Sequence, residues 1–275
     1  MEIVRRHDNV RISYFICGEF NFELENSPVH KFYDWFTTTV HFYKHVRPNL
    51  LDVTLHPYDV KPKMFDALLG SPKPHRDFVY NSVQQNNLQD TFIIPYGGKW
   101  DDNEFYAKDY FIWEPDCVPV GQIIGTADWV EYCGIRTGLS RVIPIQTFND
   151  TAYSIIAETD YDNTLSFFSE KTAKPLIARR LFVAFTGYKF LHNLRACGFR
   201  TFEGIIDESY DLIYNDEERY AAAFRQVRWL CEQPQEEILE QVRVITEHNY
   251  RLIMDTDWTT FASNQIQLLT NSAQR

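Results

Sequence analysis

The sequence predicts an α/β fold with a parallel sheet, and three observations carry that expectation. Residues 151 to 197 alternate short apolar runs with helical segments, the cadence of strands joined by crossover helices. Apolar residues make up 44% of the 275 positions and aromatics 16%, enough core formers to fill a large globular interior. From Asp216 onward, apolar residues recur at helical spacing with charges between them, so the chain should end on helices.

In chain order, Val10 to Cys17 (VRISYFIC), Leu50 to Leu55 and Thr91 to Ile94 are read as strands. Behind Pro72 and Pro74, the stretch His75 to Gln85 suits a short helix. Thr151 to Glu158 (TAYSIIAE) is a strand, followed by a polar loop, Thr159 to Thr164. Ser169 is a good N-cap with Glu170 in the first turn, so a helix is expected from Glu170 to Arg180. The apolar run Leu181 to Phe185 (LFVAF) reads as a buried strand. Behind it, Tyr188 to Cys197 reads as a helix stopped by Gly198. Glu217 to Cys231 and Glu236 to His248 complete the helical end.

Several classes drop out early. No Gly-X-Gly-X-X-Gly, P-loop or Gly-X-Ser-X-Gly is present, which argues against dehydrogenase, kinase and serine-hydrolase chemistry. The first residues, MEIVRRHDNVRISYFICGEF, hold only a short apolar run broken by charge, so no leader or span is expected and a cytoplasmic location is the default. Cys17, Cys117, Cys133, Cys197 and Cys231 lack the close spacing of zinc or disulfide frameworks and are expected as reduced thiols. A net charge of -11, from 38 acidic and 27 basic residues, argues against a surface that attracts polyanions everywhere.

The segment FFSEKTAKPLIARRLFVAFTGYKFLHNLRACGFRTFEGIIDESYD, residues 167 to 211, resembles the donor half of fucosyltransferase-like enzymes and of related phage-encoded glycosyltransferases. The matching pieces are Glu158 at a strand end, Phe168-Ser169-Glu170-Lys171, the run Leu181 to Phe185, and the acidic stretch Ile206 to Asp211. LLGSPKPHRDFVYN, residues 68 to 81, is similar to a Pro-His-Arg element of the phage proteins. Thr159 stands where fucosyltransferases carry Asn.

The resemblance implies two Rossmann-like domains of the GT-B type with C-terminal helices, an acceptor domain over residues 1–145 and a donor domain over 146–275. It also implies a nucleotide sugar, UDP- or GDP-linked, as co-substrate, with no tightly bound cofactor or metal. Glu158, Ser169, Glu170, Lys171, Lys174, Asp207 and Glu208 would bind that donor. The acceptor would be a hydroxymethylated base in phage DNA, in the host cytoplasm, reached by base flipping. A glycan acceptor and a noncatalytic nucleotide-binding module are the alternatives.

The chemistry of the residues fits that implication. A departing nucleoside diphosphate gains negative charge, and Lys171 in the first turn of a helix offers a cation beside backbone N–H groups. Glu170 could accept from ribose hydroxyls, and Lys174 lies one turn on along the same face. An inverting transferase needs a base, for which Glu19, beyond Gly18, is the first candidate and Asp52 the second. Lys73, His75 and Arg76, with Lys61 and Lys63, form the densest basic stretch, either a phosphate contact or a solvated loop.

Three other features stay open. His41 and His45 sit at i, i+4 and are metal ligands or aromatic packing. Asp160-Tyr161-Asp162 and Asp255-Thr256-Asp257 are chelating carboxylates or turn caps. Gly97-Gly98-Lys99-Trp100 is an acceptor lid or a plain hairpin loop.

Overall fold

The computed structural model of the chain describes residues 14–22, 29–96, 117–119, 129–132 and 134–273. Gly97 to Trp100 lie outside the described residues. At the centre is a parallel sheet of β4 (Lys63–Asp66), β5 (Phe92–Ile93), β9 (Thr151–Ile156) and β11 (Phe182–Ala184), in the order β5-β4-β9-β11. All its pairings are parallel, so the α/β class stands as expected. The residues of β9 are buried throughout, which is how a strand covered on both faces reads.

Crossover helices cover the two faces. From β4 the chain passes through α3 (Pro74–Gln85) to β5, and from β9 through α5 (Glu170–Ile177) to β11. α3 packs against α7 (Asp216–Glu232). α5 packs against α1 (Asp34–His41) and α8 (Gln235–Asp255). Because the chain leaves β4 and β9 in opposite directions along the sheet, a crevice opens between their carboxyl ends. This is the topological switch point at which open α/β sheets bind ligands.

Smaller elements surround this unit. β1 (Tyr14–Ile16) pairs with β3 (Val29–Lys31), β2 (Gly18–Phe20) with β10 (Leu165–Phe167), and β6 (Cys117–Pro119), β7 (Trp129–Tyr132) and β8 (Ile135–Gly138) form an antiparallel sheet. Among the described residues the other α-helices are α2 (Leu50–Thr54), α4 (Ile145–Asp150), α6 (Phe190–Ala196) and α9 (Trp258–Ala273), with a π turn at Phe42–Val46. No helix among the described residues is long and apolar enough to cross a membrane.

Two expectations change. Leu50 to Leu55 is a helical turn rather than a strand, since Leu51 and Leu55 face the core four residues apart while Asp52 and Val53 face solvent. The boundary expected at 145/146 falls inside one sheet: Phe65 pairs with Tyr153 and Asp66 with Ser154 across it. One apolar cluster runs from Phe36 to Ile253, so both sides of that boundary share a core. β4 went unread because its four residues, KMFD, are too short to show a period.

Candidate functional site

The crevice between β4 and β9 is a cleft of about 150 Å³. Its floor runs along β4 and β9, where Asp66 at the end of β4 meets Arg180 in a fully buried ion pair of 2.8 Å beside Thr151 and Ser154 of β9. Arg180 also donates to the carbonyls of Phe148, Thr151 and Tyr153 and to the hydroxyls of Ser154 and Thr151. Asp66 accepts all its bonds on Oδ1, from Arg180, Ser154 and Thr151. Burial pushes the Asp66 carboxyl up, against the pull of Arg180 and the hydroxyls. Such a pair is stable only because each polar group is satisfied.

The walls are cationic. Arg76, Lys171 and Lys174 line the cleft together with Glu170 and Ser71. α3 delivers Arg76, whose guanidinium donates to the carbonyls of Ser71, Ala157 and Glu158 and so ties the loop after β4 to the end of β9. α5 delivers Glu170, Lys171 and Lys174. Lys171 pairs with Glu170 at 2.5 Å and donates to the Thr159 hydroxyl at 3.2 Å. Burial pushes Glu170 up, but the ammonium groups of Lys171 and Lys174 outweigh it and hold the carboxyl below its ordinary value. With Asp66 already matched by Arg180, the rest of the cleft carries three cations against one carboxylate.

Other expected site residues stand behind this cleft rather than in it. Glu158 is fully buried, accepting from the Ser169 amide at 2.9 Å and from the hydroxyls of Ser169 and Thr172. Ser169 caps α5, accepting from the Lys171 amide at 3.2 Å. Its carbonyl takes the amides of Thr172 and Ala173, so the backbone N–H groups expected to cradle a phosphate are already engaged. Glu158 and Ser169 therefore build the helix end that aims Lys171, and neither lines the cleft.

Asp207 and Glu208 lie elsewhere. The acidic segment folds beyond the sheet edge, where the Tyr210 hydroxyl accepts from the Ala184 amide of β11. Glu208 accepts from Thr201, the Phe202 amide and Arg195. Asp207 caps the turn that follows by accepting from the Ser209 amide. Both line a separate pocket with Arg195 rather than the β4/β9 cleft, so the donor role expected of them beside Lys171 is withdrawn.

The basic stretch is partly internal, with Lys61, His75 and Arg76 buried. His75 is fully buried with its Nε2 2.9 Å from the Glu158 carbonyl, and its ring lies 4.7 Å from that of Tyr161. Burial, helped by the Arg76 charge, pushes its pKa down to about 3. Lys73 donates to the Thr159 carbonyl at the surface, and of these three residues Arg76 lines the cleft. Lys61 is buried and donates to the His56 carbonyl, while Lys63 reaches the Asp90 carbonyl.

Glu19 faces a second cleft, lined on one side by Phe168, two residues before Glu170. It pairs with Lys31 at 2.5 Å and accepts from the Tyr33 hydroxyl at 2.7 Å. Glu19 and Lys171 thus line different clefts, which removes Glu19 as a base acting beside Lys171. Asp52 pairs with Arg179 at 2.8 Å on the outside of the molecule.

Both Asp-X-Asp tripeptides serve local turns. Asp162 accepts from the amide and hydroxyl of Thr164, and Asp257 from the amides of Thr259 and Thr260. His41 and His45 lie ring to ring at 5.0 Å. Among the described residues, no group of three or more His, Cys, Asp or Glu is arranged to hold a metal ion.

Sequence reasoning missed Asp66 and Arg180. The usable signal was an acidic residue closing KMFD just ahead of the Gly70-Ser71-Pro72 turn, the place where sheet ligands gather. No protein-family model, curated protein or solved structure matches the chain.

Proposed function

We propose that the chain is a glycosyltransferase whose nucleotide-sugar donor places its diphosphate in the β4/β9 cleft. The observation that carries this reading is the convergence of Arg76, Lys171 and Lys174 on a single switch-point cleft in a chain of net charge -11. An acidic protein that gathers cations at one concave site is built to take an anion there. The resemblance of residues 167 to 211 supports the same assignment, since Glu170 and Lys171 are among its matched residues and both line the cleft.

In this reading Lys171 and Arg76 neutralise the charge that grows on the diphosphate as the bond to the sugar breaks. Glu170, held ionised by its lysine neighbours, accepts from donor hydroxyls with the oxygen that Lys171 leaves open. Of the GT-B architecture, the sheet β5-β4-β9-β11 with its helices is the donor-binding half, and it takes its strands from both sides of residue 145. A glycan hydroxyl is favoured over a base in DNA as acceptor, because His75 and Lys61 are buried and the chain carries a net charge of -11.

Thermal-shift measurements with UDP, GDP, their sugar conjugates and the bare nucleosides test this. A diphosphate at one hundred times its dissociation constant should stabilise the protein by ~2.7 kcal/mol, and the nucleosides by much less. Lys171→Ala should weaken diphosphate binding by roughly 10- to 100-fold, the loss of a charge-assisted contact, with little change in Tm. Slow release of free sugar from the right donor should follow the same ranking. Equal shifts for wild type and Lys171→Ala would end the proposal.

A further inference from the structure

The second cleft has the chemistry of a different kind of ligand. It encloses about 280 Å³, walled by the rings of Tyr33, Phe36, Phe168, Phe199, Trp258 and Phe261. Those rings come from α1 and the residue before it, the turn before α5, the loop after α6, and α9. They also brace one another: Tyr33 stacks on Phe261 at 5.7 Å, and Trp258 meets Phe36 at 5.6 Å and Phe261 at 5.9 Å. The Trp258 indole N–H donates to the Ile253 carbonyl at 2.9 Å, which fixes that ring in place.

One end of this apolar wall is polar and balanced in charge. Glu19 Oε2 meets Lys31 Nζ at 2.5 Å, and Glu19 Oε1 accepts from the Tyr33 hydroxyl, which lies 3.7 Å from Cys197 Sγ. The Lys31 side chain is 40% exposed and the Glu19 side chain 16%, so both retain access to solvent and to a ligand. Opposite charges cancel here, so the end carries no net attraction for phosphate. A purely apolar guest would strip water from the ion pair without replacing its hydrogen bonds, which is costly.

We infer that this cleft binds a saccharide ring, at a site separate from the β4/β9 cleft. A pyranose has one face of C–H bonds, which packs on aromatic rings, and an edge of hydroxyls that donate and accept at once. An aromatic wall ending in an adjacent carboxylate and ammonium presents the complement of both. The volume suffices, since an apolar cavity of ~150 Å³ already accepts a benzene-sized guest. This inference rests on the second cleft alone and stands whether or not the first takes a nucleotide sugar.

The test is binding, not turnover. The intact chain is titrated with methyl glucoside, methyl galactoside, N-acetylglucosamine and lactose, followed by tryptophan fluorescence and saturation-transfer NMR. At least one saccharide should bind and perturb the fluorescence, and inorganic pyrophosphate, a probe of the first cleft, should not displace it. Glu19→Gln should weaken that binding roughly fivefold, the worth of one hydrogen bond, and Phe261→Ala should weaken it as well. Lys31→Met is the second variant should Glu19→Gln fail to fold, and it should weaken binding similarly. The inference is overturned if none of the four saccharides binds, if Glu19→Gln and Phe261→Ala bind like wild type, or if phenol or tetramethylammonium binds here and the saccharides do not.

Discussion

The two clefts flank the same short turn, Phe168 to Glu170, and are made of opposite materials. The first sits on the central sheet, over a buried ion pair, with walls of charge. The second is bounded by short peripheral strands and helix faces, with walls of aromatic rings and one partly exposed ion pair. Precision in the first comes from a floor that cannot move without breaking paired charges. The second is held by rings that brace one another, beside an ion pair that is partly open to solvent. Mutations should therefore separate the two sharply.

The largest effect belongs to the floor. Arg180→Ala leaves Asp66 charged and buried without its partner, and should cost about 3–5 kcal/mol in urea unfolding. A cost under about 1 kcal/mol would mean that water reaches the pair and that the floor is not rigid.

Next comes the acid side of the stability curve. The His75 pKa falls from 6.5 to about 3 on folding, so between those values the unfolded chain binds a proton that the folded one does not. Stability contributed by neutral His75 is thus complete above pH 6.5 and lost as pH falls, by about 2 kcal/mol at pH 5. His75→Gln should flatten the urea midpoint between pH 6.5 and 5 relative to wild type. An unchanged slope would place the titration elsewhere.

Glu158→Gln should cost about 1–2 kcal/mol through the loosened cap of α5, and should lower diphosphate affinity by letting Lys171 wander. Calorimetry on the variant reads both, and an effect on stability without one on binding would separate the cap from the site. Smallest is Tyr33→Phe in the second cleft, about 0.5–1.5 kcal/mol for one hydrogen bond, with diphosphate binding untouched. Any loss of diphosphate binding there would show that the clefts communicate.

Legibility in the sequence followed the same division. The Ser169 cap, the strand at β9 and the helix behind Pro74 were readable because each is governed by neighbours within a few residues. So was the pairing of Lys171 with Lys174 on one helix face. What escaped was set by distance: Asp66 and Arg180 meet across 114 positions. Local propensity says nothing about such a pair. Asp207 and Glu208 misled for the converse reason, since their acidity serves amides and hydroxyls close by in the chain, and a run of carboxylates looks the same from either use. Glu19 misled through geometry: it lies inside β2, which pairs with β10 and not with the central sheet.

The seam between β4 and β9 also governs how the molecule can be made. At ~5–20 residues per second of synthesis, Arg180 follows Asp66 by about 6 to 23 seconds, from the separation of 114 positions. Until β9 emerges the nascent β4 has only β5 to pair with, and until Arg180 arrives its carboxylate must stay hydrated. A hydrated charge at the end of a naked strand keeps it from docking onto another chain, as inward-pointing charges do at sheet edges. The group that later forms the floor of the cleft thus guards the unfinished sheet until its partner arrives.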